Sequence, residues 1–243
     1  MRNARIVGAV SAGLLLSACA GGPKQTDLSH DPYVEQNRAV HETNMAIDKA
    51  AFGPAARAYG EVVPAPVRRG ITNLNDTWGL PGDVIQYGLQ GNGVAAAEAG
   101  TRFLVNTLFG LGGLIDPATD MGLGYRDTGF DETFYVWGIP DGGYVEMPLG
   151  GPGTKRDWSA WALDLMADPV FYVVPGAATD ALLGVATLDL VNDRYEIDPV
   201  LTEIVQNSAD SYTAMRISYL QNKQARLAGG TDVTKLEDVY DDY

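Results

Sequence analysis

The 243-residue chain carries 31 acidic against 17 basic side chains, a formal charge of −14, together with 46% hydrophobic residues and one cysteine. That balance excludes nucleic acid as a partner and excludes adhesion to anionic lipid by charge, since both need a basic footprint. A lone cysteine excludes bracing by internal disulfides, and the length suits one domain with a substantial core.

The first 18 residues read as a signal peptide. Arg2 and Arg5 supply the positive start, residues 6–16 are apolar, and Leu16-Ser17-Ala18-Cys19 forms a lipobox. The apolar run is too short to span a bilayer. Cys19 is therefore the expected lipid-attachment residue, carrying covalent acyl and diacylglyceryl lipid and no other cofactor. Several acyl chains anchor a protein durably, where one holds it only marginally. Loss of the leader leaves 15 basic against 31 acidic residues. Ala20 stands where an Asp would mark retention at the inner membrane, which favours the outer membrane. Residues 19–30 read as a tether, 31–228 as one helical domain, and 229–243 as an acidic disordered tail.

Within the domain, helical spacing dominates and predicts a mostly α fold. Asp31-Pro32 opens a first helix to about residue 51, which Gly53-Pro54 stops or bends. A second enters at Pro64-Ala65-Pro66, and Gly79, Pro81 and Gly82 are expected to break it before a further turn at 83–90. Further helices are predicted at 93–109, 154–167 and 176–194, with a last one from Asp198-Pro199 to near Leu227. Residues 117–155, rich in Gly, Pro and Asp, are predicted to be irregular.

The segment 94–115 has only three strongly polar side chains, Glu98, Arg102 and Asn106, spaced by four and so on one helix face. The helix is either a core element whose Glu98–Arg102 pair reaches solvent, or one that turns its stripe towards a wet passage. Gly110, Gly112 and Gly113 follow. No strand precedes them and position 115 is Ile, so they do not form a dinucleotide loop; they permit a bend or a close helix contact. Downstream, Trp158, Trp161 and Leu165 share one face and Asp157, Asp164 and Asp168 another. The aromatic face is either core or a membrane-interface surface.

Catalytic apparatus is not expected. The only histidines are His30, in the tether, and His41, whose HETNM context lacks the second imidazole of a zinc-protease helix. No G-x-S-x-G elbow occurs.

Asp31-Pro32-Tyr33 with Asn37-Arg38, Asn44 and Asp48, then Val63-Pro64 and Pro66-Val67-Arg68 with Gly70 and Asn73, form two ordered signatures. Arg102-Phe103, Val105-Asn106-Thr107 and Gly110 through Ala118 form a third. Phe130, Thr133, Val136-Trp137-Gly138, Tyr144, Pro148-Leu149 and Arg156-Asp157 follow in order. Together these resemble the MlaA/VacJ family of outer-membrane lipoproteins over about residues 31–227. His41 replaces the family's usual aromatic, and Asp131-Glu132 replace a common Gly-Gln. The resemblance implies a ring-like helical domain embedded in the periplasmic leaflet of the outer membrane. It implies removal of phospholipids mislocalised in the outer leaflet and their transfer to the periplasmic carrier MlaC, in association with trimeric porins. It makes Glu98, Arg102 and Asn106 candidate channel-lining residues and Gly110, Gly112 and Gly113 candidate hinges. The alternative is a structural or adhesive porin-associated lipoprotein that moves no lipid.

Overall fold

The computed structural model describes residues 31–227; the leader, Cys19, the tether with His30, and the acidic tail lie outside the described residues. Helix α1 (Val34–Ile47) leads through a π-helical turn (Asp48–Phe52) into α2 (Gly53–Val62). Then come α3 (Ala65–Leu89), α4 (Gly93–Phe109) and the short α5 (Pro117–Asp120) and α6 (Phe130–Val136). A hairpin of β1 (Tyr144–Met147) and β2 (Gly151–Thr154) pairs antiparallel, Tyr144 opposite Thr154. The chain ends with α7 (Lys155–Ala167), α8 (Val170–Val173), α9 (Gly176–Glu196), α10 (Asp198–Asn207) and α11 (Ser211–Leu227). None of the described helices is long and apolar enough to cross a membrane.

Several boundaries follow from local chemistry. The Asp31 carboxylate accepts from the Tyr33 amide at 2.9 Å and from Asn37 at 3.2 Å, so the first helix begins after it, at Val34. Gly53-Pro54 ends nothing: the wider π-turn carries the axis onward, and Pro54 falls in the first turn of α2, where a missing amide costs little. Asn92 caps α4 by accepting from Ala95 N at 3.1 Å. At α7, Thr154 and Asp157 form a reciprocal capping box.

Two predicted boundaries are corrected. The expected break at Gly79-Leu80-Pro81-Gly82 does not occur, and α3 runs unbroken for 25 residues with Pro81 inside it. Proline removes one helical hydrogen bond there, a cost of about 3 kcal/mol. Burial of Leu80 and Tyr87 on either side of Pro81, where α3 packs against α4 and α9, offsets it. Conversely, the predicted last helix is two. Ser208 returns its hydroxyl to the Ile204 carbonyl, and Asp210 accepts from Thr213 N at 3.3 Å to start α11 anew. The 117–155 region also holds more order than predicted: two short helices and the hairpin.

Much of the interior is polar. Among the described residues 19 polar or charged side chains are buried against 10 hydrophobic ones. The apolar clusters are small, one around Leu80, Tyr87 and Ala99 and another around Tyr144, Tyr212 and Leu220. What joins distant segments instead is ionic. Arg156 reaches Asp131 and Asp141, both at 2.7 Å, and Arg194 grips Asp48 with two bonds of 2.6 and 2.7 Å. His41 bridges Glu146 (2.9 Å) and Ser211 (3.1 Å), tying α1 to the hairpin and to α11. Buried charges of this kind persist only when paired. Meanwhile Leu108, Phe109 and Leu111 are 71–75% exposed, in a belt continued by Leu104, Leu114, Ile115 and Met121. A second apolar surface carries Trp161, Leu165, Met166, Tyr172 and Val173.

Candidate functional site

Helices α3, α7, α8 and α9, with the segment 125–132, enclose two adjoining cavities of about 220 and 470 Å³. The two share four wall residues, Gly79, Asp83, Asp127 and Asp168. The larger is within the ~300–1,000 Å³ range of small-molecule sites. Helix α3 supplies the common wall because Asp76, Gly79, Asp83 and Gln86 recur at spacings of three and four and share one face. A side chain built on Gly79 meets no heavy atom within 4 Å, so glycine there leaves the cavity open. The residue that reads as a helix breaker is a gap in a wall.

The site is acidic. Every charged side chain lining the smaller cavity among the described residues is an aspartate: 76, 83, 127 and 168. Arg226, which lines the larger cavity alone, pairs with Glu132 and, at 3.1 Å, with Asp131. Burial pushes the Asp76 carboxyl up to about 7, and the neighbouring Asp189 and Asp127 add to the rise. Burial likewise pushes Asp83 to about 7 against the opposing hydrogen bond from Thr128 N. Asp164, which accepts from Phe130 N at 3.1 Å and Gln86 at 3.3 Å, is raised by burial to about 6. Asp83 is only 5% exposed; its Oδ1 accepts from Thr128 N at 3.2 Å, while Oδ2 is buried with no hydrogen-bond partner.

The predicted polar stripe faces elsewhere. None of Glu98, Arg102 and Asn106 lines either cavity. Arg102 donates to Asp116 at 2.8 Å, to Thr119 at 3.2 Å and to the Leu123 carbonyl. Asn106 donates to Asp116 at 2.9 Å and accepts from Ala118 N at 3.1 Å, and Glu98 accepts from Gly124 N at 3.1 Å. The stripe clamps the returning 116–124 chain. Burial disfavours the Asp116 anion, but hydrogen bonds from Thr119, Asn106 and Arg102 outweigh it and hold that carboxyl below its ordinary range.

Of the predicted glycines, Gly113 sits at φ +108°, and a Cβ on it would lie 2.7 Å from the Thr77 side chain; the Gly112 carbonyl accepts from Trp78 Nε1 at 3.1 Å. A Cβ on Gly110 would lie 2.2 Å from the Ile115 carbonyl. These residues seat the turn against α3. The tryptophan face of α7 divides: Trp158 packs over the hairpin and donates to the Val145 carbonyl at 3.3 Å, whereas Trp161 is more than half exposed. The aspartates opposite, Asp157, Asp164 and Asp168, all line the larger cavity, and Asp157 also accepts from Tyr219 at 2.6 Å and pairs with Lys223.

A second carboxylate group, Asp131, Asp141 and Asp157, brings three oxygens within 4.8 Å of one another, a spacing that suits a cation. The Lys223 ammonium already holds that position, 2.8 Å from Asp141, 3.5 Å from Asp131 and bonded to Asp157. This centre is structural.

The family model for the MlaA lipoprotein matches residues 29–226. The chain belongs to the MlaA family. It is 27% identical over 248 residues to the intermembrane phospholipid transport system lipoprotein MlaA of Haemophilus influenzae, covering 100% of this chain and 98% of that one. To the protein of the same name from Escherichia coli it is 29% identical over 226 residues, 91% of this chain and 88% of that one. An uncharacterized protein of Rickettsia felis is 30% identical over 197 residues, 81% of this chain and 77% of that one. A solved MlaA structure, from work on the structural basis for maintenance of bacterial outer membrane lipid asymmetry, superposes with a TM-score of 0.68 at 27% identity. That match covers 82% of this chain and 99% of the other.

Proposed function

We propose that this MlaA-family chain is a lipid-anchored outer-membrane protein that removes phospholipids from the outer leaflet, thereby maintaining lipid asymmetry. Its described residues form a ring-like body seated in the periplasmic leaflet. The single observation that carries this reading is where polarity lies: Leu104, Leu108, Phe109 and Leu111 are exposed outside, while inside are buried charges and two cavities whose largely apolar walls carry aspartates. A lipid headgroup needs a wet path, and its acyl chains need an apolar one. The relatives named for intermembrane phospholipid transport support it. In this reading Cys19 holds the body at the membrane, MlaC receives the lipid, trimeric porins are its neighbours, and no catalysis takes part.

The experiment uses the full lipidated protein in vesicles containing labelled phospholipid, with MlaC added outside. Label is expected on MlaC only when the protein is present. Gly79→Trp, which fills the shared cavity wall, is expected to stop transfer while the protein stays folded. Label transfer by Gly79→Trp at the wild-type rate takes the two cavities out of the lipid route, and no transfer by the wild type overturns the reading in favour of an adhesive lipoprotein. The embedded body is checked separately: a Cys19→Ala protein with a cleavable signal should still partition into vesicles, and one freely soluble without detergent contradicts it.

A further inference from the structure

Between the two cavities stands a carboxylate oxygen that nothing in the protein satisfies. Asp83 Oδ2 is buried and without a hydrogen-bond partner, on a residue that walls both spaces. A buried acceptor left unmade costs about 1–3 kcal/mol, more when it is charged. Its surroundings deepen the field: Asp127 and Asp168 share the same wall, Asp76 lies two helical turns before Asp83, and no basic residue lines the smaller cavity among the described residues. Whatever passes here is selected for positive charge and for N–H donors.

We propose that this constriction is a headgroup-selecting site that binds the primary ammonium of a zwitterionic phospholipid and disfavours lipids of net negative charge. The inference rests on the reading of these cavities as a lipid passage. An ethanolamine headgroup brings three N–H donors and a cation to Asp83 Oδ2. A choline headgroup brings the cation without donors. A glycerol headgroup brings donors but adds a net negative lipid to a wall of like charge. An inorganic divalent cation fits the charge but not the spacing: Asp131, Asp141 and Asp157 are the only described carboxylates that converge three oxygens within 4.8 Å, and Lys223 occupies their centre. No three described carboxylates at this wall converge in that way, so it suits a group held by one or two of them at a time.

Arg226, which lines the larger cavity and not the smaller, gives the site a direction. Although paired with Glu132 and Asp131, it is the only cation lining that space among the described residues. The headgroup is thereby read with its ammonium towards Asp83 and its phosphate towards Arg226.

The test incubates the detergent-solubilised, lipidated full-length protein with an equimolar mixture of phosphatidylethanolamine, phosphatidylcholine and phosphatidylglycerol, then quantifies bound lipid by mass spectrometry after gel filtration. The ethanolamine lipid should be enriched about threefold or more over each of the others, the ratio that a partly screened charge interaction gives. Asp83→Asn, and independently Asp127→Asn in the same wall, should bring that ratio towards one. Equal capture of the three lipids by the wild type overturns the selection while leaving lipid passage standing. Capture of no lipid overturns both. If titration with magnesium chloride alone shows binding that Asp83→Asn abolishes, and the lipids are captured equally, the oxygen serves a metal and the proposal is wrong.

Discussion

Arg194 in α9 holds Asp48 in the π-turn by two hydrogen bonds of 2.6 and 2.7 Å, across 146 positions of sequence. The same guanidinium also takes Asp198 at 2.8 Å, so one buried cation fastens the first helices to the start of α10. Arg194→Ala leaves Asp48 partly buried and unpaired, a loss of about 3–5 kcal/mol. Arg194→Lys keeps the charge but not the fork, and should fall between. Thermal unfolding in detergent, followed by circular dichroism, ranks the three proteins; equal midpoints for wild type and Arg194→Ala contradict the fastening role.

Arg102 and Asn106 hold the 116–124 chain against α4 and line neither cavity. Arg102→Ala strands Asp116 and should lower stability by about 3 kcal/mol or more, reducing abundance in cells. Transport measured per molecule of folded protein should stay near wild type. A fully abundant Arg102→Ala protein with impaired transfer would return this residue to the passage.

Gly79 separates helix propensity from cavity space. Alanine there should stabilise α3 by about 0.5–1 kcal/mol, because a mid-helix glycine loses more backbone entropy on folding and no neighbour obstructs the methyl group. Gly113→Ala should do the opposite, since that residue combines positive φ with a 2.7 Å approach to Thr77. Denaturant midpoints of the two variants should move in opposite directions from wild type.

Burial raises Asp76 and Asp83 to about 7. A carboxyl whose folded pKa exceeds its unfolded one binds more protons in the folded state between the two values. Stability is therefore highest below about pH 4 for these groups and is lost as pH rises through about 7. The melting temperature of the wild type should fall between pH 5 and pH 8, and the double variant Asp76→Asn/Asp83→Asn should flatten that slope. Asp210, held low by its bond from Arg38, works with the other sign, favouring the fold above the carboxylate range and losing that contribution only on strong acidification.

The helices of the domain were legible because their spacing is local: those expected at 93–109 and 154–167 are α4 and α7, which start behind the Asn92 cap and the Thr154 box. Pro81 misleads because its cost is local while the burial that outweighs it is tertiary. The acidic wall was hidden by that same misreading, since Asp76, Gly79 and Asp83 share a face only if the helix continues. The stripe at Glu98, Arg102 and Asn106 was visible, but spacing shows only that three groups face one way. What they face, the 116–124 chain, lies too far along the sequence for periodicity to report. Asp210 could have been found: Ser208, Asp210 and Ser211 place three capping residue types close together inside an otherwise helical stretch.

The exposed belt from Leu104 to Met121 bears on how such a molecule is made. A water-soluble domain buries its apolar residues as it folds and is then finished. Here the belt remains uncovered after the ionic joints have closed, so aqueous folding leaves a surface that adheres to its own kind. In the proposed setting, completion of the structure and arrival at the lipid are a single thermodynamic event. A newly made chain crossing an aqueous compartment then needs its greasy girdle shielded until the bilayer takes over that role.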